Sequence, residues 1–261
     1  LNSIKESFCY LLVGHWMQGD YGQDRKNVGY TIKSFLEHFK TKQNPPALIL
    51  KCHTSTTSIM DRERILAKIE DIRKSIKGSR IPNIYLMHGE ISDEQINELY
   101  NHPKVKVMVS HTKGEGFGRP LLEFSITGKP VIASNWSGHV DFLNPDYCVM
   151  LPGNLTDVHS SAADKMIMKE TKWFTVDYGV AAATLQDVVK NYKTYLTRSR
   201  KQTQYVKDNF SLERMSEIFK NIVDEGLKGV PQQVGLKLPK LKKVNTKSPK
   251  LNLPKLKKIE S

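Results

Sequence analysis

The stretch that most restricts what this chain can become is residues 105–143, VKVMVSHTKGEGFGRPLLEFSITGKPVIASNWSGHVDFL. It opens as an apolar strand over residues 105–109 and breaks into a polar loop rich in glycine. At Pro120 the pattern turns to a short helix, pauses at Thr127-Gly128, and resumes as a strand over residues 131–133. A strand that feeds a glycine loop and then a helix N-terminus leaves unpaired backbone N–H groups where an anion can sit. Proline at the helix start and glycine just past its end fit that reading. Gly116 and Gly118 let the backbone approach a ligand with no Cβ in the way. Glu115 and Glu123, with seven residues between them, bracket the turn so that both can face one ligand.

The rest of the chain repeats the strand–helix alternation. Residues 8–13 are a continuous apolar run, as a buried parallel strand requires. The run ends at Gly14-His15, and a polar loop leads to Val28, Ile32, Phe35, Leu36 and Phe39 at helical spacing. Asp24 or Asn27 caps that helix, which sets Arg25 and Lys26 beside its N-terminus and above the strand's end. A positive charge there opposes the helix dipole, which an anion seated nearby would reverse. Because the apolar face starts at Val28, the Lys26 side chain is expected to point away from the core.

A second unit has a strand at residues 47–51 and a helix from Asp61 whose apolar face is Ile65, Leu66, Ile69, Ile72 and Ile76. His53, just past the strand, faces the ligand side, and a surface histidine is the favoured reading over a functional one. A third strand, residues 84–87, precedes His88–Ile91, and Ser92 with Gln95 forms a capping box for the next helix. Residues 148–151 read as the last strand, and two helices follow from Val180 and after Phe210-Ser211. Strands alternating with helices in this way predict an α/β chain with a doubly wound, Rossmann-like parallel sheet, which binds ligands at the carboxyl ends of its strands.

Composition excludes other classes. No run of eighteen apolar residues is present to span a membrane. Cys9, Cys52 and Cys148 are scattered and odd in number, which argues for buried inert thiols in a reducing compartment rather than a disulfide framework or a zinc site. The net charge of +13 is uneven, because residues 227–261 hold ten lysines against one glutamate. There LKLPKLKKV (236–244) recurs as LNLPKLKKI (251–259). Prolines and like charges predict an extended tail, either a solubiliser or a binder of anionic lipid or nucleic acid. The expected organisation is one domain over residues 1–226 and a basic tail over 227–261.

With Glu115, Gly116-Phe117-Gly118, Pro120, an aliphatic pair, Glu123 and the downstream GKPVIAS in register, the central stretch resembles the donor-binding half of retaining GT-B glycosyltransferases. The resemblance covers roughly residues 7–226, specific in the centre and generic at the edges. It implies that Glu115 contacts hydroxyls of the donor sugar, that Glu123 binds the ribose, and that the Gly116-Phe117-Gly118 amides face sugar and phosphate. It implies a diphosphate grip in the loop after Gly14. Lys26 fits the family's lysine, while His15 stands at the usual arginine position, so Arg25 is the candidate to do the arginine's work. Met87 and Ile91 bound the segment that holds the nucleobase in the family. Trp136–Asp141 departs from the family's Gly-Gly and glutamate, and Trp136 reads as a packing residue.

The function so implied is transfer of a hexose from a nucleotide-diphosphate sugar with retention, with no metal and no cofactor beyond the donor, in the cytoplasm. In the family an acceptor domain precedes this half; this sequence opens at Leu1 rather than at methionine, so the expectation is a truncated chain, a partner that supplies that half, or a donor-binding module without turnover. The competing class is a non-catalytic scaffold that acts through its tail. A nicotinamide-dependent oxidoreductase would need Gly-x-Gly-x-x-Gly after the first strand, which Gly14-His15-Trp16 does not supply.

Overall fold

The apolar runs become parallel strands because each is covered on both faces. The computed structural model describes residues 1–229, so the readings made of residues 230–261 lie outside the described residues. Six strands form the main sheet: β1 (Cys9–His15), β2 (Ala47–His53), β3 (Ile84–Met87), β4 (Val105–Ser110), β5 (Val131–Ser134) and β6 (Val149–Leu151). They lie in the order β3-β2-β1-β4-β5-β6, and every pairing is parallel. The helices between them are α1 (Val28–Phe39), α2 (Ile59–Lys74), α3 (Asp93–Asn101) and α4 (Arg119–Ser125). After the sheet come α5 (Tyr178–Lys190), α6 (Tyr192–Asn209) and α7 (Leu212–Leu227).

The two faces of the sheet carry two cores, and the period of two along β1 divides them. Tyr10 and Leu12 pack with Ile32 and Phe35 of α1, Ile65 and Ile69 of α2, and Leu185 of α5. Cys9 and Leu11 face the other way, toward Leu99 of α3 and Leu121 and Phe124 of α4. Tyr10 buries its ring and satisfies its hydroxyl by donating to the Leu185 carbonyl at 2.6 Å. Truncating a side chain such as Phe35, 1% exposed, to alanine costs about 3–5 kcal/mol in sites of this kind.

Two readings of the chain are corrected here, and one left open between two residues is decided. Residues 148–151 are not the last strand: an antiparallel hairpin follows, β7 (Gly153–Asp157) with β8 (Lys172–Val176). Most of β7 is exposed, so it lacks the apolar run that marks the buried strands. Leu66 is 40% exposed, because α2 packs on the sheet through Ile65 and Ile69. Asn27 stands at the N-cap of α1 without a side-chain cap bond, and Asp24 does the capping, its Oδ2 accepting from Val28 N–H at 3.0 Å. The capping box of Ser92 and Gln95 at α3 is present.

The strand order fixes where a ligand can enter. Connections run outward in opposite directions from β1 and β4, which are neighbours, so the loops that follow them diverge and leave a crevice at their carboxyl ends. The chain divides into two compact units, Leu1–Ile218 and one that begins at Phe219 within α7. Among the described residues no helix is long and apolar enough to cross a membrane.

Candidate active site at the sheet's switch point

The loop after β1 and the loop after β4 meet on a short run of backbone: Lys113 N–H donates to the Arg25 carbonyl at 2.8 Å. That contact brings Arg25 and Lys26 onto Glu115. The Lys26 ammonium pairs directly with Glu115 Oε1, and Arg25 Nη1 reaches Glu115 Oε2 at 3.3 Å and the Gly114 carbonyl at 2.7 Å. The Lys26 and Glu115 side chains are 11% and 8% exposed. Lys26 therefore does not point into solvent, as its place before α1 led one to expect. Gly14 makes room for it, since a Cβ there would lie 3.1 Å from Lys26 Cε. Burial pushes the Glu115 carboxyl up, but Lys26, a bond from Thr112 and Arg25 outweigh it and hold it ionised, below the usual range.

The Glu115 backbone is held from the β5 side. Its N–H donates to Ser137 Oγ at 2.8 Å, and its carbonyl accepts from Gly138 N–H at 3.1 Å. Gly118 then caps α4 at φ 91°, a left-handed conformation that favours glycine. Phe117 is half exposed, its ring 5.1 Å from that of Phe142. With seven residues α4 has a short dipole, so the positive charge of the site comes chiefly from side chains.

A cavity of about 470 Å³ opens above these groups. Its floor is Gly14, His15, Arg25 and Lys26. Glu123 and Arg119 form one wall, paired with each other at 3.1 Å on successive turns of α4. Burial, joined by the nearby Asp93, raises the Glu123 carboxyl against the pull of Arg119. The segment after β3, Gly89, Glu90 and Ile91, forms another part of the wall. Of the residues read from sequence as nucleobase contacts, Ile91 is on this wall and Met87 packs into the core beneath it. Gly116, Phe117 and Gly118 lie beside the cavity rather than on its wall.

His53 corrects another reading. It is not a solvated surface group: its ring lies 4.4 Å from that of His15, across the β1–β2 register, and both line the cavity. Burial, then the neighbouring charges of His53, Lys26, Arg25 and Lys51, pulls His15 below the ordinary histidine range.

Three residues that position this site carry no motif. Asp61, in the first turn of α2, is buried and ties two wall loops together. It accepts from Thr54 N–H at 3.0 Å, from the Thr54 hydroxyl, and from His88 Nε2 at 2.9 Å. Lys51, at the end of β2, donates to the Gly89 carbonyl at 2.6 Å and so fixes the same wall. His111, fully buried after β4, pairs its Nδ1 with Thr31 Oγ1 of α1 at 2.8 Å, and burial brings it down to about 4. Trp136, 41% exposed, stacks on Phe174 of β8 at 6.0 Å with an interplanar angle of 7°. Among the described residues no group of three or more His, Cys, Asp or Glu is arranged to hold a metal ion.

Comparison with known proteins agrees with this architecture. Residues 68–170 match the family model of the glycosyl transferases group 1, and that segment includes both Glu115 and Glu123. No curated protein matches the chain by sequence. Among solved structures, the chain resembles the C-terminal domain of a glycosyl transferase group 1 family protein (LpcC) from Francisella tularensis. The TM-score is 0.54 at 11% identity, covering 81% of this chain and 90% of that one. It resembles sucrose-phosphate synthase from Thermosynechococcus elongatus at TM-score 0.55 and 17% identity, over 86% of this chain and 47% of that one. Anabaena HepE, in complex with UDP and glucose, gives TM-score 0.55 at 11% identity, over 83% of this chain and 48% of HepE. The chain thus spans an isolated C-terminal domain almost entirely and about half of the longer proteins. It has the fold of a group 1 glycosyl transferase C-terminal domain, one Rossmann-like half of a GT-B architecture, and carries that family's sequence pattern over residues 68–170.

Proposed function

We propose that this chain is the donor-binding half of a glycosyltransferase that moves a hexose from a nucleoside-diphosphate sugar to an acceptor, with retention and without a divalent metal. The observation that carries the reading is the convergence of Lys26 and Arg25 on Glu115 under a cavity walled by Glu123. The similar structures that hold UDP, or UDP with glucose, support a nucleotide-sugar as the ligand class.

Breaking the bond between sugar and phosphate leaves the bond's electron pair on the departing diphosphate oxygen. Lys26 and Arg25 are placed to offset that charge, the work a metal ion does in other transferases. To do so they must exchange Glu115 for the diphosphate. The carboxylate so released is then free to accept hydrogen bonds from hydroxyls of the donor sugar. Glu123, on the cavity wall, takes the ribose hydroxyls, and the Gly89–Ile91 segment takes the base. The acceptor is bound by a domain other than this half.

Isothermal titration of the full chain with a panel of nucleoside diphosphates and their hexose conjugates tests the reading. Saturable binding of one nucleotide class supports it. No binding by any member contradicts it and leaves the scaffold reading in its place.

A further inference from the structure

Lys113 is a lysine without a counter-ion. It sits in the loop after β4 and is only 2% exposed. Its Nζ donates to Thr175 Oγ1 of β8 at 3.0 Å and lies 5.3 Å from the centroid of the Trp173 ring. Among the described residues it forms no ion pair. An ammonium offers three donors, so two are left over. The neighbouring Trp173 ring, in a small core cluster with Val158 and Ala162, covers the ammonium on one side without neutralising it. Buried donors are rarely left without partners, and a buried charge is held by pairing.

Lys113 adjoins a cavity of about 570 Å³ lined by β7, β8, the residues after β7 and the loop after β1. Lys113 is on its wall together with Gln23, Thr156, Ser160, Lys169 and Tyr178. Lys169 is exposed there and adds a second cation. One carboxylate, Asp157, also stands on the wall, but it is turned to Lys172 at 3.7 Å and its side chain is 83% exposed. The cavity shares no wall residue with the one over Lys26 and lies across the Arg25–Lys113 backbone bond from it. Burial lowers the Lys113 ammonium to about 8, against the field of Asp24, and an anion that entered would raise it again.

We propose that this cavity is an anion site that takes a phosphate or carboxylate group, with Lys113 as its buried counter-ion. Lys113 and Lys169 offer charged donors to the oxygens of such a group, and Thr156 and Thr175, bonded to each other at 2.7 Å, leave one hydroxyl proton to add to them. The site is separate from the donor cavity and does not rest on the donor reading.

The test titrates inorganic phosphate, a hexose phosphate and a hexuronic acid into the full chain carrying Lys26→Ala, which weakens anion binding in the other cavity. Tryptophan fluorescence is the readout, and Trp173→Phe identifies the reporting ring. A saturable change is expected with at least one anion. Lys113→Met should abolish it, and Lys169→Ala should weaken it by roughly tenfold, the loss of one charged contact. The anion that binds best tells whether the natural group is a phosphate or a carboxylate. No saturable response to any of the three, or one that both lysine variants leave unchanged, overturns the proposal. If Lys113→Met does not fold, the Lys169→Ala titration decides alone.

Discussion

Lys26 and Glu115, 89 positions apart in sequence, form a nearly buried ion pair that joins the loop after β1 to the loop after β4. Removing one partner leaves the other charge without its main compensation, a loss of roughly 1–3 kcal/mol where burial is nearly complete. Arg25 keeps part of the compensation on Glu115. Lys26→Ala is therefore expected to lower the melting temperature by about 2–10 °C, read by circular dichroism. A melting temperature equal to the parent's would show that the pair contributes nothing to folding.

Glu123 stands on the cavity wall, partly exposed and held by Arg119 and the Tyr100 hydroxyl. Its substitution by alanine should leave the fold intact and remove one charged hydrogen bond to ribose. The expected loss is about 1.5–3 kcal/mol, or roughly 10- to 150-fold in Kd for a nucleoside diphosphate. Inorganic pyrophosphate, which has no ribose, should bind the variant as it binds the parent. Equal losses for both ligands would take Glu123 off the ribose.

Asp61 holds the loop after β2, which follows His53, and the loop after β3, which carries Gly89–Ile91 of the cavity. Asp61→Asn should weaken nucleoside diphosphate more than pyrophosphate, because the loosened wall faces the base. A pH effect accompanies it. Burial pushes the carboxyl up, yet the bonds from Thr54 and His88 prevail and bring it down to about 2 from an ordinary 3.8. The folded chain thus holds that proton less tightly than the unfolded chain. The stability this contributes is present above about pH 4 and is lost as pH falls toward 2. Denaturation midpoints measured across that window should fall more steeply in the parent than in Asp61→Asn.

Gly138 packs against the turn that carries Glu115. A Cβ there would lie 2.0 Å from the Gly116 carbonyl oxygen, and backbone cannot yield as a flexible side chain can. Gly138→Ala should displace the turn, at a cost of about 1–3 kcal/mol in stability. Nucleoside diphosphate binding should weaken with it, while Gly114→Ala, which meets nothing within 4 Å, should do neither. Thermal melts and titration of the two variants side by side check this.

The parts of the fold that show in sequence are those whose pattern is local. The apolar runs of β1, β2 and β4, the helical spacing from Val28 to Phe39 and the capping box at Ser92 depend on neighbours in the chain. The glycine loop with Glu115 and Glu123 is legible for the same reason. Hairpin β7–β8 escaped because its first strand is mostly exposed and lacks an apolar run. Asp61 escaped because its partners, Thr54 and His88, are 7 and 27 positions away and meet it only in the folded sheet. The Lys26–Glu115 pair escaped in another way. Each residue was read as reaching for a ligand, and nothing in the spacing shows that each is the other's partner until the β1 and β4 loops are adjacent.

The central claim is that a diphosphate takes the place of Glu115 on Lys26, and titration of three chains with UDP and UDP-glucose tests it most directly. The parent should bind UDP at one site, and Lys26→Ala should bind it roughly 10- to 150-fold more weakly. Glu115→Gln, which frees Lys26, should bind UDP at least as tightly as the parent but lose affinity for UDP-glucose. A Lys26→Ala chain that binds UDP with the parental Kd, or a parent that binds neither ligand, would contradict the account.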